Sequence, residues 1–129
     1  MKYPMFKVHI NSEEAIEGLT KVLNSGFFNE GAQVSEFSEK LSKKMGYENI
    51  IMTNSCTSAL TMALKLSNVG YEDEVVTTSM TCLATNTPIL NLGAKVVWAD
   101  IDPNTGNICP DSVAKKITSK TKAVMCVNW

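Results

Sequence analysis

The residues of this chain best suited to chemistry are small and polar, and they cluster. Asn54, Ser55, Cys56, Thr57 and Ser58 follow an apolar run, "NIIMT", and open "TSALTMALKLSNVG", a stretch with helical spacing. At a helix start several backbone N–H groups lack intrahelical acceptors, and the aligned peptide dipoles favour an anion there. Ser55, Thr57 and Ser58 add hydroxyl donors. The cluster therefore fits two roles, a phosphate cradle or an N-cap with small neighbours. Neither "GxxxxGK" nor "GxGxxG" accompanies it, which argues against a nucleotide-hydrolysing P-loop and weakens a dinucleotide-binding reading.

A second polar set, Thr77 to Thr81, ends the strand-like run "EVVTTS" and leads into Cys82 to Asn86. Asp100 and Asp102, in "VVWADIDPNTG", could bind a metal or divide acid and base roles. "DPNTG" is also a turn-forming sequence, and the turn and capping reading is preferred. His9 is the only histidine; with no acid or nucleophile beside it, it reads as a packing or surface residue. Cys56, Cys82, Cys109 and Cys126 form none of the close pairs of zinc or thioredoxin-like sites and are expected to be reduced thiols.

The elements that must position these groups follow from periodicity. Asn11 and Glu14 predict a capping box opening a helix with Ile16, Leu19, Val22 and Leu23 on one face, closed before Gly26. Val34, Phe37, Leu41 and Met45 predict a second helix up to Gly46, after the joint "GFFNEGAQ". From Ile50 the rhythm changes. "NIIMT", "EVVTTS", "KVVWAD" and "TKAVMCV" read as strands, separated by helices closed by Gly70 and Gly93 and by a short helix starting near Pro110. Such alternation predicts parallel βαβ units with helices on both faces of a sheet, and ligands in an open parallel sheet bind beyond the carboxyl ends of its strands.

The bulk numbers suit this reading. The chain has 129 residues, 44% hydrophobic content and a net charge of -1, which gives no broad electrostatic reason for a nucleic-acid or acidic-membrane partner. No run approaches the ~18 apolar residues of a membrane span, and the start has no secretory signal pattern, so a cytoplasmic setting is expected. The last predicted strand is followed only by Asn128 and Trp129, without a covering helix, so the sequence is expected to be part of a larger, truncated unit.

Taken in order, "SGFFNEGAQVSEFSEKLSKKMG", "NSCTSALTMAL", "GYEDEVVTTSMTCLATNTPILNLGAKVVWADIDPNTGNI" and "ITSKTKAVMCVNW" resemble the N-terminal part of the DegT/DnrJ/EryC1/StrS family of fold-type I pyridoxal-phosphate-dependent aminotransferases. The resemblance implies an α/β fold, the N-terminal portion of the large domain. Residues 1–47 correspond to a helical segment with a substrate-side loop, and residues 48–129 to part of the cofactor-binding domain. It implies that Ser55, Cys56 and Thr57 hold the cofactor phosphate, through the Cys56 and Thr57 amides and the Thr57 hydroxyl. It implies supporting roles for Asn86 and Asp100, and a substrate-side loop of Phe27, Phe28, Asn29 and Glu30. Two positions depart from the pattern. Cys56 replaces the usual glycine, costly if its φ must be positive. Cys82 stands where the family commonly stacks an aromatic residue on the pyridoxal ring, and a thiol lacks that area.

The implied reaction moves an amino group from an amino acid, often glutamate, to a nucleotide-linked keto-sugar, usually in a homodimer with shared active sites. No counterpart is present for the family's Schiff-base lysine or for the aspartate that pairs with the pyridinium nitrogen; Lys122 lies inside a predicted strand and does not replace the lysine. The 129 residues alone are therefore expected to be inactive, with no catalytic residue of their own. A lysine-less phosphate-binding or regulatory module, or one half of a split enzyme completed by a second chain, stands as the alternative.

Overall fold

The computed structural model describes residues 7–128, and the chain divides into two compact units, residues 1–52 and 53–129. The first unit carries α1 (Ser12–Ser25) and α2 (Ala32–Met45). Both close on left-handed glycines, Gly26 and Gly46, each at φ 73°, where a side chain is disfavoured. Asn11 occupies the N-cap position of α1, but its side chain makes no capping bond, so the predicted capping box does not form. Glu13 and Glu14 instead lie in the exposed first turn, where acidic groups complement the helix dipole.

The second unit contains α3 (Cys56–Leu66), β1 (Glu74–Thr78), α4 (Leu83–Asn91), β2 (Lys95–Ala99), α5 (Pro110–Lys116) and β3 (Thr121–Val124). β1 is central and pairs parallel with both neighbours, in the order β2-β1-β3. The two crossovers leave β1 and β2 in opposite directions along the sheet. Right-handed connections then put α4 and α5 on opposite faces, the expected doubly covered arrangement. Leu64 of α3, Ile89 of α4, Val75 of β1, Val69 and Ala94 form the core, with Leu92, Val96, Ala123 and Met125 packed against it.

Two expectations are corrected here. "NIIMT" forms no strand: Ile51 is 70% exposed, and the segment pairs with no strand among the described residues. An extended segment without a neighbour to satisfy its N–H and C=O groups is not a strand, whatever its propensity. Gly70 does not close α3. The helix ends at Leu66, and Asn68, at φ 59°, makes the left-handed turn that returns the buried Val69 amide to the Leu64 carbonyl at 3.0 Å.

Candidate functional site

The helix α3 ends where the chain turns into β1, and α4 begins just after β1 ends. Both therefore run antiparallel to the strands and start at the carboxyl edge of the sheet, where parallel α/β folds bind ligands. At the start of α3, Ser55 is the N-cap, with extended backbone (φ -161°, ψ 156°), and its Oγ accepts the Ser58 amide at 3.1 Å. Ser58 Oγ donates to Asn54 Oδ1 at 2.7 Å and lies 3.0 Å from Ser55 Oγ. A hydroxyl has one proton; with that of Ser58 given to Asn54, the proton in the second contact comes from Ser55. Ser55 and Ser58 are thus occupied in holding the helix start.

Cys56 and Thr57, the first two residues of α3, remain. Their amides have no acceptor among the described residues, and the next two are taken, Ser58 by Ser55 Oγ and Ala59 by the Ser55 carbonyl. Two open N–H groups at the positive end of a helix, with the Thr57 hydroxyl beside them, suit a phosphate. Cys56 is helical and absent from the residues with positive φ, so the left-handed strain that a glycine replacement could cause does not arise. Its thiol is exposed.

At the end of β1, Thr78 Oγ1 accepts the Met80 amide at 3.1 Å, and the Thr81 and Thr85 hydroxyls meet at 2.8 Å. Cys82 is the N-cap of α4, exposed and without a side-chain capping bond. Asn86 is buried: its Oδ1 accepts the Thr77 hydroxyl at 2.9 Å and its Nδ2 donates to the Thr78 carbonyl at 3.1 Å. Thr77 belongs to the polar set Thr77 to Thr81 singled out in sequence, but its bond to Asn86 was not foreseen. The available signal was a threonine directly after the apolar pair Val75–Val76 of β1.

Asp100 follows β2 at the same edge, in a depression shared with Ser79, Trp98, Ser112 and Lys116. Its carboxylate accepts the Ile101 amide at 2.9 Å, and its own amide donates to Ser112 Oγ at 2.9 Å. Asp102 accepts both the backbone and side-chain nitrogens of Asn104, at 2.8 and 3.2 Å, as a turn residue does. The two carboxylates serve local turns and do not share a ligand set. His9 is exposed, and Lys122 is an exposed residue of β3.

Phe27, Phe28, Asn29 and Glu30 belong to the first unit, between α1 and α2. Phe27, Phe28 and Asn29 line a cavity of about 210 Å³ together with Val22 and Val34, and Glu30 borders a more open depression. Both phenylalanines are exposed for two-thirds or more of their surface. The shifted titrations belong to one i, i+4 pair in each of α1 and α2 and to the Glu72–Lys95 pair at the start of β2. Hydrogen bonds first, and charge second, hold the Glu17, Glu36 and Glu72 carboxyls below their ordinary range and raise Lys21, Lys40 and Lys95.

The described residues thus form a parallel α/β sheet with two polar helix starts at one edge, and comparison specifies the family. The DegT/DnrJ/EryC1/StrS aminotransferase family matches residues 9–129, and the chain belongs to this family. It is 36% identical over 124 residues to the spore coat polysaccharide biosynthesis protein SpsC of Bacillus subtilis strain 168, covering 96% of this chain and 32% of that protein. It is 36% identical over 111 residues to UDP-2-acetamido-2-deoxy-3-oxo-D-glucuronate aminotransferase of Pseudomonas aeruginosa, covering 86% and 31%. Among solved structures, AtS13 from Actinomadura melliaura aligns with a TM-score of 0.90 at 34% identity, covering 98% of this chain and 34% of AtS13. The PLP form of the putative sugar aminotransferase Spr1654 from Streptococcus pneumoniae aligns at 0.86 and 31%, covering 95% and 31%. The chain thus spans about a third of the length of the curated relatives it matches.

Proposed function

We propose that this chain is the cofactor-phosphate-binding part of a pyridoxal-phosphate-dependent aminotransferase that transfers an amino group from an amino acid, glutamate by family resemblance, to a nucleotide-linked keto-sugar. The open amides of Cys56 and Thr57 at the start of α3 carry the reading. The activity for which the Pseudomonas relative is named, on a UDP-linked 3-oxo sugar acid, and that of a dTDP-amino-sugar transaminase from Aneurinibacillus thermoaerophilus, 34% identical over 116 residues, support the acceptor class.

Pyridoxal phosphate supplies, when bound, the electron sink on which amino-group exchange depends. The residues of this chain bind and orient. Cys56 and Thr57 donate their amides to the phosphate, and Thr57 adds its hydroxyl, while Ser55 keeps the helix start in place. Cys82, Asn86 and Asp100 border the carboxyl edge, Cys82 offering a thiol where the family resemblance places an aromatic ring. Phe27 to Glu30 form the substrate-side loop. The covalent lysine and the acid that pairs with the ring nitrogen come from outside these 129 residues, so the 129 residues alone are inactive, and the assembled enzyme is a homodimer or is completed by a second chain.

The four cysteines are free, which supports a reducing, cytoplasmic setting. No helix among the described residues is long and apolar enough to cross a membrane. The test is incubation of the full chain, extended to the length of its relatives, with pyridoxal phosphate, L-glutamate and keto-sugar nucleotides. Release of 2-oxoglutarate matched by amino-sugar nucleotide is expected; a folded protein that leaves glutamate unchanged sinks the proposal.

A further inference from the structure

The start of α4 is held from inside the sheet rather than by its own cap. Cys82 makes no side-chain capping bond, while Asn86, one turn further on, spans the gap to β1 with both ends of its amide. The two bonds fall on Thr77 and Thr78, the last residues of β1, just before the chain enters residues 79–82. Thr77 is fully buried and Asn86 is 6% exposed. A buried polar pair adds little over an apolar pair of the same shape, although removing one partner alone leaves the other's polar atom buried and unsatisfied. What the pair supplies is direction. Apolar contacts can slide, whereas two hydrogen bonds of fixed length and angle cannot.

We propose that Thr77 and Asn86 are positioning residues. They fix the depth and rotation of the first turn of α4, and with it the Thr81 hydroxyl and the Cys82 thiol, at the sheet edge shared with the open amides of α3. Asn86 then acts through the helix start it holds, because its amide is spent inward. The ligand half of this inference rests on the cofactor reading above; the clamp itself does not.

The test compares Thr77→Val, which keeps the shape and removes the hydroxyl, with Thr77→Ser, which keeps the hydroxyl, in the full chain. Thr77→Val is expected to speed hydrogen exchange in residues 83–87 and to weaken the pyridoxal phosphate dissociation constant, each about tenfold, as loss of one buried hydrogen bond implies. Thr77→Ser is expected to restore both. Asn86→Asp, the same shape without the NH₂ donor, provides the reading if Thr77→Val does not fold. A thermal midpoint that falls while exchange and dissociation constant stay within about twofold overturns the proposal. Wild-type protein without affinity for pyridoxal phosphate overturns the cofactor reading instead, and exchange in residues 83–87 alone then decides the clamp.

Discussion

Glu72 has a backbone shape that suits glycine. It lies at φ 67°, its amide donates to the Gly93 carbonyl at 3.1 Å, and its carboxylate meets Lys95 at 2.6 Å. A left-handed conformation disfavours an L-residue, and an exposed ion pair returns little. Glu72→Gly is therefore expected to raise the urea midpoint modestly, even after the entropy that glycine adds to the unfolded chain. The pH dependence has a definite sign. The Glu72 carboxyl is depressed by the Lys95 hydrogen bond and charge, so its contribution is full above the ordinary glutamate range and is lost as pH falls through the depressed value. Lys95 is raised by the same partner, so its contribution is present below the ordinary lysine value and lost only as pH rises through the raised one. Urea titrations across the acid range should show a shallower loss in Glu72→Gly than in the wild type; a midpoint below that of the wild type at neutral pH would argue that the pair outweighs the backbone.

At the scale of the element, α3 divides its labour: Ser55 and Ser58 hold the helix start, and Cys56 and Thr57 leave it open. Ser55→Ala is expected to cost about 1 kcal/mol in urea unfolding, the usual loss for an N-cap hydroxyl. A cost near zero would mean that Asn54 and Ser58 hold the turn without it. This division was half legible in sequence. "NSCTS" before "AL" marked the helix start, yet which hydroxyl is consumed depends on the Ser58–Asn54 bond, and one-dimensional spacing does not give it. Helices α1, α2 and α4 were legible because their apolar spacing ends at Gly26, Gly46 and Gly93, each in the left-handed region. The end of α3 was misread because Asn68 performs the turn expected of Gly70. The run at Ile50 was misread because strand propensity does not supply a pairing partner. Thr77 and Asn86 were each singled out, but not as a pair, because only the fold brings a strand residue and a helix residue nine positions apart into a buried bond.

The whole molecule combines an N-terminal helical unit without a buried residue in its two helices and a C-terminal unit built on a central strand buried along nearly its whole length. The proposed function is local, in that two backbone amides rather than a charged side chain would hold the phosphate. That claim can be tested by deleting an amide. Proline is well accepted at the first position of a helix, and Ser55 already has the extended backbone that a following proline requires. Cys56→Pro thus removes one donor without breaking α3, and Cys56→Ala keeps the donor as the control. The most direct measurement is a titration of pyridoxal phosphate into the full chain carrying each change. Binding by Cys56→Ala close to the wild type, with Cys56→Pro weaker by about tenfold or more, is the expected result for a lost hydrogen bond to a charged group. Equal binding by all three, with α3 intact, would contradict the phosphate cradle.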